Sequence, residues 1–176
     1  AYDNTHPIAG SHHQKIVVID DRMAFLGGLD LTAKRWDTSE HAADDSRRMM
    51  MSNRLYPPFH DTMMAMDGEA AKVLGTIARF RWRAATGQTL ETSPLASASE
   101  PSHADPWPPQ LRIDITHVEL AIARTFPAST EGGEVREVER LYLDMIAAAR
   151  RHIYLENQYF TAFRIGEALA ARLAEP

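Results

Sequence analysis

The sequence predicts an α/β fold, a mixed sheet flanked by helices. Three observations lead there. Lys15–Asp20 reads KIVVID, a strand-length run rich in β-branched residues. Glu69–Ala85 and Glu134–Arg151 carry apolar residues at helical spacing. Strand-like and helix-like segments then alternate along the 176 residues as β-β-loop-β-α, a linker, and β-α-β-α. Composition permits a real core, since 44% of the residues are hydrophobic when tyrosine is counted, which excludes wholesale disorder. The absence of cysteine excludes a disulfide scaffold, a zinc ribbon and a cysteine nucleophile. No apolar run approaches the ~18 residues of a membrane span.

Taken in order, KIVVID is a buried strand, Asp21-Arg22 a turn, and Met23–Leu26 a second strand ended by Gly27-Gly28, so the two form a hairpin-like pair. Residues 36–60 are polar and aperiodic; a loop of that length is uncommon and is often functional or disordered. Asp61–Met66 reads as a strand closed by Asp67-Gly68, and Glu69–Ala85 as a helix with Val73, Leu74, Ile77 and Phe80 on its apolar face. Residues 87–110 hold five prolines and four serines and form a linker or exposed loop, expected to be the most mobile internal segment. They separate a first region, 1–86, from a third, 111–176. In the third, Leu111–Phe126 alternates like a strand, Glu134–Arg151 is the clearest helix, His152–Gln158 is a strand ending in polar residues, and Ile165–Leu173 begins a last helix.

Charge narrows the partners. The net charge is −5, residues 1–86 balance to zero, and no stretch shows the basic excess of a dedicated nucleic-acid surface, so no nucleic acid is expected. The histidines of the first region lack ligand spacing on one helix and have no cysteine support, so neither a metal nor another cofactor is expected. Met49–Met51 and Met63-Met64 read as packing or loop residues, with contact to an acyl chain as the alternative.

The chemistry concentrates at Ser11–Asp20, SHHQKIVVID. Side chains alternate along a strand, so His13 and Lys15 share a face about 7 Å apart while His12 faces the other way and is structural. An imidazole beside an ammonium suits a phosphate: the histidine attacks phosphorus and the lysine neutralises the non-bridging oxygens. Asp20 falls an odd number of positions from His13 and so on the opposite face, where it ties the strand end or the turn. Gly27-Gly28 serves equally as a tight strand exit or as backbone close to a phosphate. Trp36, Asp37 and His41 are candidates for the rim of the substrate entrance.

The spacing His13-x-Lys15-x4-Asp20-x6-Gly27-Gly28 resembles the HKD motif of the phospholipase D superfamily. The flanks agree: HHQKIVVIDDRMAFLGGLDLTAKRWDT is similar to the surroundings of a first such motif, PPFHDTMMAMDGEAA to the segment that follows it, and HIYLENQYF to the strand before a second. The resemblance implies a pseudo-twofold, two-half fold whose active site is shared by two motifs. This sequence holds one H-x-K-x4-D, and Asp30 stands where many members have a phosphate-holding asparagine.

The implied activity is a phosphodiesterase of phospholipase D type, acting on a phospholipid head group through a phosphohistidine, with His13, Lys15 and Asp20 from the motif and Asp61 as the acid that orients His13. The superfamily's nucleases and cardiolipin-synthase-like transferases, and a catalytically dead binding module, are the alternatives. Gly27, Gly28, Asn157 and Gln158 are the expected substrate-binding residues. With one motif, residues 1–176 are expected to be inactive alone, completed by the missing second half or by a homodimer mate. Membrane-surface contact and a cytoplasmic or peripheral setting are further expectations.

Overall fold

A computed structural model describes Asp3 and residues 6–8, 10–94, 105–128 and 133–175. They form two compact units, the first built on Ser11–His117 and the second on residues 118–175.

In the first unit KIVVI becomes β1 (Lys15–Ile19) and MAFLG becomes β2 (Met23–Gly27). They pair antiparallel from Lys15↔Gly27 to Ile19↔Met23. Between them the Arg22 N–H donates to the Ile19 carbonyl at 3.0 Å. Asp20 and Asp21 both take φ 54°, the left-handed region that matches the twist of a hairpin and that Asp tolerates. A third strand, β3 (Met63–Asp67), pairs with β2, so the sheet order is β1-β2-β3 and β2 is central. Helix α1 (Gly68–Thr86) follows directly. Glu69 in its first turn suits the helix dipole, and Gly87, with φ 72°, closes its C-terminus by donating its N–H to Arg83 at 2.7 Å. Ala71, Leu74 and Ile77 form a buried stripe on α1, and Met23, Ala24 and Met66 are the buried residues of the sheet.

One polar residue is built into this core. Asp21 is 3% exposed, and its carboxylate takes both oxygens' bonds from Arg79 Nη1, at 2.9 and 2.7 Å. The Ser93 N–H also reaches Asp21, at 3.3 Å. Room for the carboxylate exists because α1 carries a glycine there: a Cβ on Gly75 would lie 1.7 Å from Asp21 Oδ1. Gly75→Ala is therefore expected to destabilise the protein by about 1–3 kcal/mol, as overpacking does, although alanine favours a helix over glycine by about 1 kcal/mol. Thermal unfolding checks this; an unchanged or raised midpoint would show that Asp21 swings clear.

The second unit pairs β4 (Thr125–Phe126) with β5 (Val135–Arg136), antiparallel, and adds α2 (Glu137–Ala148) and α3 (Phe163–Leu173). Phe126, Ile146 and Ile165 are its buried apolar residues. Glu137, in the first turn of α2, accepts from the Arg124 side chain at 2.8 and 2.6 Å and from its backbone N–H at 2.9 Å. Glu139 binds Arg136 and Arg164.

The α/β class and the three helices agree with expectation; every described strand pair is antiparallel. Two expected strands are not formed among the described residues. Within Leu111–Phe126 only Thr125–Phe126 is paired, and His152–Gln158 carries no strand. Alternation sets which side chains share a face, but a strand exists only where another strand takes up its backbone groups. Of the expected linker, residues 87–94 are tied back at Ser93, Trp107 Nε1 donates to the Leu111 carbonyl at 2.7 Å, and 95–104 lie outside the described residues.

Candidate active site

Lys15 opens β1, opposite Gly27 at the end of β2, and His13 precedes it by two residues. The Lys15 side chain is mostly buried; its ammonium donates to the His13 carbonyl at 3.0 Å and lies 3.1 Å from Asp30 Oδ1. The other Asp30 oxygen meets Arg35 at 3.3 Å. The Lys15 ammonium, with help from Arg35, holds the Asp30 carboxyl below its usual range. The His13 side chain is exposed and, among the described residues, makes no hydrogen bond or ion pair. His12 differs: its Nε2 lies 3.2 Å from the Asp3 carboxylate, which also takes Arg81 at 2.5 Å.

Asp20 sits in the turn at the far end of β1 from Lys15, exposed, where its left-handed backbone shapes the hairpin. Gly27 and Gly28 are required by the approach of the segment that leads into β3. A Cβ on Gly27 would fall 2.3 Å from the Thr62 carbonyl oxygen, and one on Gly28 would fall 2.2 Å from Asp61 Oδ1. The Gly28 N–H extends the ladder to the Thr62 carbonyl at 3.0 Å.

Asp61 is thus at the Lys15 end of the sheet, packed on Gly28, with Oδ1 accepting its neighbour's N–H (Thr62) at 2.7 Å. The structure does not bring it into hydrogen-bond contact with His13. The expected contact assumed neighbouring strands, about 4.8 Å apart; β2 lies between β1 and β3, which doubles the separation.

The long polar loop has its own polar core. Arg48 is 1% exposed. Its guanidinium donates to Asp37 Oδ1 at 2.8 Å, to the carbonyls of Ala42 and Ala43 at 2.7 and 2.8 Å, and to that of Tyr56 at 3.3 Å. Asp37 also accepts the N–H groups of Thr38 and Phe59 at 2.8 and 2.9 Å, and its Oδ2 lies 2.8 Å from His41 Nδ1. Burial acts to raise the Asp37 pKa, but the Phe59 and Thr38 N–H groups and Arg48 outweigh it and hold the group far below the carboxylate range. Asp37, expected at a pocket rim, is a scaffold residue. The loop connects to Lys15 through Arg35, whose guanidinium lies 4.8 Å from the Phe59 ring. Arg48 itself went unread in the sequence; its only signal was an arginine pair inside an acid-rich stretch.

The loop's acids make it sensitive to low pH. The Arg47 side chain and N–H lower Asp45 from 3.8 to about 2, and Asp37 is lowered further. Carboxylates depressed in the folded state contribute stability that is present above pH ~4 and lost as pH falls through the folded-state values. Loop 36–60 is therefore expected to open to protease between pH ~4 and ~2. Resistance unchanged through that window would contradict the ion pairs.

The sequence profile of the family described as Phospholipase D matches residues 3–165. The chain belongs to the phospholipase D family. Phospholipase D A of Dictyostelium discoideum is 27% identical over 189 residues, covering 89% of this chain and 14% of that protein. Phospholipase D1 of Saccharomyces cerevisiae is 28% identical over 214 residues, covering 94% of this chain and 13% of that protein. Phospholipase D alpha 4 of Arabidopsis thaliana is 27% identical over 186 residues, covering 88% of this chain and 24% of that protein. The chain thus spans less than a quarter of the length of these phospholipase D relatives. Of the residues expected at the site from the sequence, His13, Lys15, Gly27, Gly28 and Asp61 lie in the first unit, and Asn157 and Gln158 in the second. Asn157 and Gln158 are exposed, and Asn157 Oδ1 accepts the Tyr159 N–H at 3.1 Å, an Asx turn.

Proposed function

We propose that this chain supplies one half of the active site of a phosphodiesterase that cleaves phospholipid head groups by two displacements. The observation that carries it is the disposition of His13 and Lys15: an exposed imidazole with no committed partner, two residues from a half-sequestered ammonium, at the sheet end capped by Gly27 and Gly28. An unengaged His13 nitrogen attacks phosphorus, and the bond to the head-group alcohol breaks, giving a phosphohistidine. Lys15 neutralises the non-bridging oxygens as charge develops. Asp61, packed on Gly28 with β2 between its segment and the His13 strand, is given no part in orienting His13. Asn157 and Gln158 are assigned to the substrate side of the second half.

A second histidine must protonate the leaving alkoxide and then deprotonate the water, or an acceptor alcohol, that cleaves the P–N bond. It comes from a second motif, in the same gene product or in a homodimer mate, across the pseudo-twofold arrangement. Residues 1–176, holding one motif, are inactive alone on this reading.

The test is acid-quench trapping. The complete gene product, mixed with phosphatidylcholine labelled at phosphorus, is expected to retain label in acid-labile, base-stable linkage and to release choline. Choline release without a trapped phosphoenzyme, or label unaffected by His13→Ala, would overturn the assignment.

A further inference from the structure

We propose that Lys15 and Arg35 form the two sides of a seat for a phosphodiester, and that the Asp30 carboxylate is an internal anion which the phosphoryl group displaces from it. The inference rests on the phospholipid-substrate reading and deepens it. Asp30 lies three residues past Gly27, where the chain leaves β2. Its Oδ1 is 3.1 Å from the Lys15 ammonium and its Oδ2 is 3.3 Å from Arg35 Nη2. The two oxygens of one carboxylate thus face two cations from different segments, the first residue of β1 and the entry to the polar loop. The non-bridging oxygens of a phosphodiester make the same demand. They share one negative charge, and each takes its strongest hydrogen bond from a cationic donor.

Neither cation is used up by Asp30. Among the described residues the Lys15 ammonium serves the His13 carbonyl, at 3.0 Å, and Asp30, and it has donor capacity beyond those two acceptors. Among the described residues the Arg35 guanidinium meets Asp30, through Nη2, and the Phe59 ring, 4.8 Å away. Contact with a ring face steadies the guanidinium and leaves the edge of its fork to hydrogen-bond. Phe59 is anchored in turn, because its N–H donates to Asp37 at 2.9 Å in the loop's polar core. Two cations against one carboxylate leave a surplus of one positive charge, which draws an anion to this end of the sheet. Arg47 and Arg48 of the same loop differ, since each is committed to a carboxylate of its own, Asp45 or Asp37.

A carboxylate and a phosphoryl group do not share this place. Both are anionic, and two anions within hydrogen-bond reach of one ammonium repel each other. Asp30 competes as a full charge, because Lys15 first, and Arg35 with it, hold its carboxyl below the usual range. The Lys15 side chain is 13% exposed and the Asp30 side chain 38%, so the carboxylate is the member of the pair that turns outward to water. Asp30 therefore keeps Lys15 and Arg35 aimed at one point and gives way to a group that meets both at once. Arg35 becomes a second phosphate-binding residue beside Lys15, and Asp30 sets how tightly the pair holds its substrate.

The test is calorimetric titration of the complete gene product with dimethyl phosphate, a soluble phosphodiester, and with inorganic phosphate in parallel. Asp30→Asn is expected to tighten binding of dimethyl phosphate about tenfold, because the competitor for the seat is gone. Asp30→Ala is expected to do the same, which separates charge from shape. Arg35→Met is expected to weaken binding about tenfold, the worth of a hydrogen bond to a charged group, and Arg35→Lys to restore only part of it. On the Arg35→Met background Asp30→Asn should tighten binding less than it does in the wild type. If Arg35→Met lowers the unfolding midpoint, Arg35→Lys and the two Asp30 variants carry the comparison. Weaker or unchanged binding in Asp30→Asn would overturn the proposal and make Asp30 a holder of Lys15. So would unchanged binding in Arg35→Met, or binding of inorganic phosphate without dimethyl phosphate. The titrations need no turnover, so the expected pattern sustains the seat even where no phosphoenzyme is trapped. A trapped phosphoenzyme with unchanged binding in Asp30→Asn removes the seat alone.

Discussion

His13→Ala in the complete gene product is expected to lower head-group release by about 10³-fold or more, with KM little changed. On the proposed mechanism the substitution removes the atom that bonds to phosphorus, and loss of a nucleophile from a catalytic unit usually costs several orders of magnitude. It should not perturb the fold, because the imidazole is exposed and, among the described residues, makes no hydrogen bond or ion pair. The split is informative. On the proposed mechanism Lys15 faces the phosphate in ground and transition states, so Lys15→Met should raise KM as well as lower kcat. Lys15 also meets Asp30, so its removal leaves Asp30 on Arg35 alone and loosens the start of the loop. Steady-state kinetics with phosphatidylcholine decide the point. A His13→Ala enzyme within tenfold of wild type would make His13 a bystander and return the nucleophile to another residue.

The second large effect concerns stability. Arg48→Met is expected to cost about 3–5 kcal/mol, the usual loss when one partner of a buried ion pair is removed. The methionine fills much of the volume but satisfies none of the four acceptors that Arg48 serves. For a unit of about a hundred residues that is a drop in Tm of roughly 12 °C or more. Arg48→Lys should recover little, because one ammonium cannot reach the Ala42, Ala43 and Tyr56 carbonyls and Asp37 together. Scanning calorimetry with limited proteolysis of loop 36–60 measures both. A loop that becomes protease-sensitive while Tm holds would show that it folds as an appendage, not as part of the unit.

What was legible in the sequence was the local part. The KIVVID run, the double glycine and the stripe of Ala71, Leu74 and Ile77 each sit within a few residues of what they determine, and β1, β2, β3 and α1 form close to where those signals lie. The candidate site residues His13, Lys15, Gly27 and Gly28 stood out for the same reason: their spacing is the signal. Strand order is a different kind of information. Parity says which face a residue takes but not which strand lies alongside, so the placement of β2 between β1 and the Asp61 segment was invisible. Loop 36–60 shows no periodicity because its order comes from one guanidinium serving scattered carbonyls, not from a repeating face. Gly75 resembled a weak helix position; its bare Cα is a socket for a carboxylate carried by a distant turn.

That socket has a consequence for how the unit opens. Asp21 belongs to a turn that closes between adjacent strands, yet its carboxylate is held by a helix whose arginine lies 58 residues further along, with the Ser93 N–H beyond that helix as a further donor. Lifting α1 away exposes the carboxylate and strands Arg79; fraying the turn does the same from the other side. Neither element can breathe without disturbing the other, so the hairpin amides and the α1 amides share one opening event, and the sheet's first two strands and its helix exchange with solvent as a single cooperative piece.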